Sequence, residues 1–465
     1  MPRKPATKFP LKSHGKLQPQ SQPQPLPQLD VIIVGGGLAG LSTGLAVLNK
    51  FPKANVAILE KYGYIGGRVT TYHNKIAGIL QPIHWENGAG RIATTHKLVL
   101  GLLKKYGLHT LPLSPESEFR LADGNVSIPT FEEIIPAFVN ALENLSKDTL
   151  ATNTLVELVP KRNRRRLFER YSYWAEPNLL RADLALSAFK EEMSSQADFV
   201  VCQEGLGSLA KAMADEFEKR GGIIYTRTEV TRVFHDFTQD CDIISCIRKD
   251  PPPSKQEVKL DISAKGTVLA LHIVALANIL KESLAKSELR RLTFLKHLKM
   301  APLLRMYAIF PVRNGKSWFS DVPRTVTSSP IRFFIPIQPS KGIVMISYTE
   351  GPDATYWIEK MERRGENRVC REVMREIRSL FPEKENIPDP IFFKMHPWSE
   401  GCTYWLPGQY DPAEESARSI HPIPDILPTT FLCGESTSLR QAWMEGALEQ
   451  AKALQSNSKF WEIFE

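Results

Sequence analysis

The feature that most constrains this chain is a short apolar strand running directly into three spaced glycines. "LDVIIVGGGLAGLSTGLAVL" (29–48) passes from Val31–Val34 into Gly35-x-Gly37-x-x-Gly40 and then into a segment with helical apolar spacing. Each glycine has its own mechanical purpose. Gly35 makes the tight turn, Gly37 lets a pyrophosphate approach the backbone, and Gly40 lets the helix pack close to the strand. The helix opens at Leu38 and Ala39 with free N–H groups and the positive end of its dipole toward the phosphates. A second strand, "NVAILE" (55–60), ends in Glu60, placed to accept hydrogen bonds from ribose hydroxyls. Strand, turn, helix, strand and acid in this order predict an α/β, Rossmann-like doubly wound domain that binds a dinucleotide.

Composition limits what else the chain can be. At 465 residues, 42 % hydrophobic and 24 % charged, it has an ordinary soluble balance and enough length for two or three domains. No apolar run reaches the roughly 18 residues of a membrane span. The net charge of +8 misleads, because residues 1–29 hold Arg3, Lys4, Lys8, Lys12 and Lys16 and no acid. That segment, with its "QPQSQPQPLPQ" tract, reads as a disordered basic tail and lacks the apolar core of a signal peptide. The rest of the chain is close to neutral, which argues against nucleic-acid binding. "KRNRRR" (161–166) reads as a solvated helix face, with a nuclear-localisation patch as the rarer alternative. The six cysteines show no metal spacing and no disulfide framework, as in a reducing compartment. No metal is expected, and the protein is expected to be intracellular and cytoplasmic, away from membranes.

Six residues past Glu60 stands "GGRVTT", a second glycine pair followed by Arg68. This fits a ligand longer than a nicotinamide cofactor, although spacing alone does not separate FAD from NAD. The run from Glu60 to Gly66-Gly67-Arg68 resembles the flavin-containing amine oxidase superfamily, which includes monoamine, polyamine and L-amino-acid oxidases. The resemblance implies FAD, with Gly67 and Arg68 near its pyrophosphate. "TTFLCGESTSLRQAWMEGALEQAKAL" (429–454) is similar to the superfamily's C-terminal flavin motif, a strand, a Gly434-Glu435 turn and a helix from near Ala442. It implies that Glu435 bonds the ribityl chain and that the Met444 N–H faces the flavin's pyrimidine edge. Between the two motifs, the resemblance assigns Val230 to the adenine contact, and reads 266–280 as a strand and following loop.

The resemblance also implies a fold and a reaction. An FAD domain from 30–95, 200–290 and 410–455 would carry an inserted mixed sheet-plus-helix substrate domain from 96–199 and 291–409, with 456–465 as a tail. Substrate would lie between the flavin and a pair of aromatic rings. Trp443 takes one ring position, and "HPWSEGCTYWLPG" (396–408) should supply the other. There Thr403 stands at the usual tyrosine position, with Tyr404 and Trp405 beside it, so Tyr404 is the candidate ring. Cys402 falls where monoamine oxidases carry a covalently bound flavin; a non-covalent flavin is the expectation. Arg305 occupies the position of the lysine that holds a water near the flavin, so the acceptor is molecular oxygen or another oxidant.

"ENGAGRIATTHKLVLGLLKKYGL" (86–108) is most similar to the L-amino-acid oxidase branch, in which an arginine after a small-residue turn binds the substrate carboxylate. Arg91 inherits that role, and Gly90, in place of a methionine, borders the cofactor. A planar guanidinium pairs with a planar carboxylate and keeps its charge when buried. His84 and His96 flank the turn as structural residues. The expected activity is oxidation of an L-amino acid to a keto acid, ammonia and hydrogen peroxide. A monoamine or polyamine oxidase is the alternative. An FAD desaturase and a non-catalytic flavoprotein-fold protein are further alternatives, and a homodimer is left open.

Overall fold

A computed structural model describes residues 29–465 except 75–82, 115, 128–130, 172, 194–197 and 255. The basic N-terminal tail therefore lies outside the described residues, apart from its last position.

Two large sheets organise the chain. The first has strand order Thr228–Asp236, Cys241–Lys249, Glu257–Leu269, Leu29–Val34, Val56–Leu59, Ile223–Tyr225. Its centre is parallel: Leu29–Val34 pairs in parallel with Val56–Leu59 on one side and with the last residues of Glu257–Leu269 on the other. Thr430–Leu432 also joins the end of Glu257–Leu269 in parallel, bringing the C-terminal motif beside the glycine turn. Val31, Ile32 and Ile33 are fully buried. Such continuous apolar runs are what a parallel strand covered on both faces requires.

Helix Leu38–Lys50 follows the glycine turn. A Cβ on Gly40 would stand 2.1 Å from the Gly35 carbonyl oxygen, so only glycine permits this packing of helix on strand. Gly35 itself has φ +108°, which strains any residue with a side chain. Helix Gly207–Lys219 packs on the same face, its Phe217 ring against Gly44.

The second sheet runs Phe392–Trp405, Leu298–Ile309, Ile343–Glu350, Phe333–Gln338, Arg324–Thr327, Ser117–Arg120. Helices Gly351–Arg364 and Glu366–Leu380 cover one face through Trp357, Val373 and Ile377, packed on Leu304, Met306 and Ala308. Residues 110–200 contain the expected helices, including Lys161–Tyr171 over the basic run, where the Lys161, Arg162 and Asn163 side chains are exposed. No described helix is long and apolar enough to cross a membrane.

Three expectations need correction. The segment after strand Glu257–Leu269 is helix Ile273–Ser283 rather than a loop, because its apolar residues recur at helical spacing and His272 accepts from the Ala275 N–H. The helix expected near Ala442 starts at Met444, since Ala442 has φ +65° and cannot be helical. Residues 456–465 are no loose tail: helix Ser458–Trp461 buries Phe460 completely, and Ile463 covers Gly266.

Candidate functional site

One cavity of about 1640 Å³ runs between the two sheets. It begins at the glycine turn, where Gly35, Gly37, Leu38, Ala39 and Glu60 line it, and continues past Gly67, Arg68 and Gly434. It ends among Gly90, Arg91, Arg305, Tyr404, Trp443 and Met444. Val230 also lines it, at the glycine end of the first sheet. Gly40 does not line the cavity; its function is the helix–strand packing described above.

The glycine end fits a dinucleotide on evidence internal to the molecule. Gly37 has ordinary backbone angles, φ −79° and ψ −179°. A Cβ there would have no protein atom nearer than 3.9 Å, and one on Gly67 none nearer than 3.6 Å. Packing of the protein on itself therefore does not explain the absence of a side chain at Gly37; a ligand lying against the backbone does. The helix N-terminus beside it has no side-chain cap, so its first N–H groups face the cavity side unspent. Glu60 is 6 % exposed and accepts from the Gly36 N–H at 2.9 Å and the Tyr62 N–H at 2.8 Å. Burial raises its pKa, while those two backbone donors hold it down. A carboxylate has about four lone-pair sites, so two are left for ribose hydroxyls.

Glu435, which the resemblance assigns to the ribityl chain, lines the cavity and also ties its walls together. Its carboxylate accepts from Arg68 Nη2 at 2.8 Å, Thr403 N and Thr403 Oγ1 at 3.1 Å each, and Ala442 N at 2.8 Å. Four protein donors meet its two oxygens. Glu435 thus ties the Gly-Gly-Arg segment, the strand through Thr403 and the left-handed turn at Ala442 into one wall. Arg68 completes the tie by donating through Nη1 to the Gly401 carbonyl at 2.9 Å.

The strand Phe392–Trp405 puts Tyr404, and not Thr403, on the cavity wall. Side chains alternate across a strand, and Cys402 and Tyr404 line the cavity while Thr403 and Trp405 do not. Thr403 bonds Glu435 and Ser436, and the Trp405 indole donates to the Ser438 carbonyl at 2.9 Å. Burial drives the Cys402 thiol far above its usual pKa, reinforced by the carboxylates of Glu435 and Glu350. A thiol so held is a poor nucleophile.

The Arg91 turn is seated on the Gly-Gly-Arg segment. The Ala89 N–H donates to the Arg68 carbonyl at 3.0 Å, and a Cβ on Gly88 would lie 2.0 Å from that oxygen. After the turn comes a two-residue strand, Ile92–Ala93, and then helix Lys97–Lys105. Glu445 anchors that helix by accepting from the Leu98 and Val99 N–H groups at 2.8 and 2.9 Å. Arg91 projects among three rings, its guanidinium carbon 4.6 Å from the Phe199 centroid, 5.2 Å from Tyr173 and 5.3 Å from Trp443. Cation–π attraction holds the head group at each ring face. His96 packs its edge on Trp443 at 4.8 Å, and burial lowers its pKa to about 4, helped by Arg440 and Arg91.

Several residues of this end were not identified from sequence. Glu350 lines the cavity almost fully buried and accepts from the Tyr348 hydroxyl at 2.8 Å. Burial raises its pKa, whereas the Tyr348 hydrogen bond and, more weakly, the Arg91 charge pull it down. Tyr173, Phe199 and Glu86 join it on the wall. The alternation in "VMISYTE" puts Tyr348 and Glu350 on one face, a usable signal; Tyr173 and Phe199 come from segments with no local cue.

Comparison with known proteins agrees with this geometry. The model of the family "Flavin containing amine oxidoreductase" matches residues 38–171 and 156–453. An L-amino-acid oxidase of Naja atra is 34 % identical over 90 residues, 19 % of this chain. The chain spans only 16 % of that protein's length in the match. Cyclohexylamine oxidase from Brevibacterium oxydans IH-35A superposes with a TM-score of 0.68 at 17 % identity, covering 94 % of this chain and 100 % of its own. A putrescine oxidase variant gives 0.68 at 15 % identity, covering 92 % and 98 %. These likenesses establish the mixed α/β fold, and the family brings FAD as the cofactor. This chain belongs to the flavin-containing amine oxidoreductase family.

Proposed function

We propose that the protein oxidises the primary amine of an L-amino acid, giving a keto acid, ammonia and hydrogen peroxide, with molecular oxygen as the final acceptor. The observation that carries this reading is Arg91, a guanidinium held among the rings of Phe199, Tyr173 and Trp443 on the wall of the cavity. A fork-shaped cation in an aromatic pocket is suited to a planar carboxylate. Gly37, Gly67, Glu60 and the start of helix Leu38–Lys50 would hold the dinucleotide, Val230 its adenine, and Gly434 and Met444 the flavin end. Bound flavin supplies the two-electron acceptor. The chain's own part is orientation: Arg91 fixes the carboxylate, and the Trp443 and Tyr404 rings line the space for the amine and exclude water. The Cys402 thiol, held in its protonated form, favours a non-covalent flavin.

In the same reading the first sheet is the cofactor domain, 30–95, 200–290 and 410–455. The second sheet, with the helices of 96–199 and the segment 291–409, is the substrate domain.

A second reading, a monoamine or polyamine oxidase, is favoured by Glu350. Its carboxylate shares the cavity wall with Arg91, and the attraction between them opposes binding of a second anion.

Steady-state oxidation of matched pairs, each L-amino acid with its decarboxylated amine, tests the choice in wild type and Arg91→Met. The reading expects the preference for the acid partner to fall at least about tenfold in the variant, a loss of about 1.4 kcal/mol. An unchanged ratio would favour the amine reading.

A further inference from the structure

Two features of the sequence depart from the pattern that the rest of the chain resembles: Gly90, where a methionine is usual, and Arg305, where a lysine is usual. The structure shows that they are one feature. A Cβ on Gly90 would lie 2.7 Å from Arg305 Nη1 and 3.4 Å from Nη2. The guanidinium thus occupies space that any side chain at position 90 would claim.

That guanidinium is poorly served by the protein. A guanidinium carries five N–H donors. Nη1 donates to the Glu86 carbonyl at a long 3.3 Å, the Tyr307 hydroxyl is a second partner, and Nε is enclosed with no acceptor. No carboxylate among the described residues forms an ion pair with it; the carboxylate of Glu86 accepts instead from the Leu206 N–H and the Thr71 hydroxyl, at 2.7 and 2.9 Å. The Tyr348 ring lies 5.3 Å away, and the same ring meets Tyr173, whose other neighbour is Arg91. Arg305 is half-buried, with the Glu86 carboxylate near but not ion-paired to it, so an anion in the cavity beside it would serve the unspent donors. Arg305 lines the cavity and lies against the residue next to Arg91.

We propose that Arg305, given room by Gly90, is a second carboxylate-binding group, so that the substrate's carboxylate meets two guanidinium groups rather than one. This rests on the amino-acid reading above and deepens it. Gly90 acts as a positioning residue and Arg305 as the binding group.

The test uses the FAD-loaded protein and benzoate, a carboxylate without an amine, titrated against the visible flavin spectrum in wild type, Arg305→Lys, Gly90→Ala, the double variant and Arg91→Met. Position 90 does not require positive φ, and the atom that a new Cβ meets is the end of a flexible side chain, so Gly90→Ala displaces the guanidinium without disrupting the fold. Benzoate Kd is expected to rise at least about tenfold in Arg305→Lys and in Gly90→Ala. The double variant should be no weaker than Arg305→Lys, since removing the guanidinium removes what the alanine disturbs. Multiplying effects, or an unchanged Kd in Gly90→Ala, would overturn the coupling. Loss of binding in Arg91→Met alone would overturn this proposal and leave the single-arginine reading standing. Unchanged binding in all variants would remove the carboxylate reading itself. Intact benzoate binding in Arg305→Lys with a lowered flavin reduction potential would reassign the charge to the flavin and also overturn the proposal.

Discussion

The cavity is built by different means at its two ends. At the glycine end the backbone defines the shape: Gly35 makes the turn, Gly37 and Gly67 leave room, and a helix terminus provides polar groups. At the arginine end side chains define it, with Arg91 among Phe199, Tyr173 and Trp443, and Arg305 against Gly90. A surface made of backbone can change only by refolding, whereas one made of side chains changes with single substitutions. Cofactor binding is thus coupled to folding, and substrate choice is largely free of it.

The largest expected effect breaks the backbone end. Gly40→Ala places a Cβ 2.1 Å from the Gly35 carbonyl, within a packed core. Overpacking of this kind should cost about 3 kcal/mol, read as a lower urea midpoint together with loss of bound flavin. Gly37→Ala sharpens the contrast three residues earlier. Its Cβ meets no protein atom within 3.8 Å or so, since the nearest lies at 3.9 Å. Stability should fall by no more than about 1 kcal/mol, the cost of alanine at a helix N-cap, while FAD affinity drops about tenfold or more. Equal flavin binding in Gly37→Ala and wild type would break the comparison.

At the arginine end a smaller, pH-dependent effect is expected from His96. Its pKa in the folded protein is about 4, against an ordinary value of 6.5. The unfolded chain therefore binds a proton that the folded one refuses between these values. This contribution to stability is intact above pH 6.5 and is lost as pH falls from 6.5 toward 4. His96→Phe should reduce the slope of the urea midpoint across that window without abolishing it, because burial lowers His272 and His396 to about 4 as well; an unchanged slope would show that His96 does not contribute. The smallest effect belongs to Cys402→Ser, which should leave flavin content and its release on denaturation unchanged.

Legibility in the sequence followed the same division. The glycine turn, Glu60 and the Gly-Gly-Arg segment were readable because their spacing along the chain is their spacing in space. The small-residue turn before Arg91 was readable as a motif, and folding seats that turn on Arg68. The ties that Glu435 makes were not legible, because its partners Arg68, Thr403 and Ala442 converge only after folding. Tyr173 and Phe199 were invisible, as neither lies near Arg91 in sequence. Gly90 and Arg305 are independent departures in the sequence and a single feature in the fold.

The account depends most on a carboxylate being required for electron transfer from substrate. The direct measurement is anaerobic bleaching of the bound flavin's visible absorbance by L-amino acids, by their decarboxylated amines and by polyamines. The account predicts bleaching by amino acids and not by the matched amines, with colour restored on admitting air. Bleaching by the amines alone would contradict it and make Arg91 a structural charge.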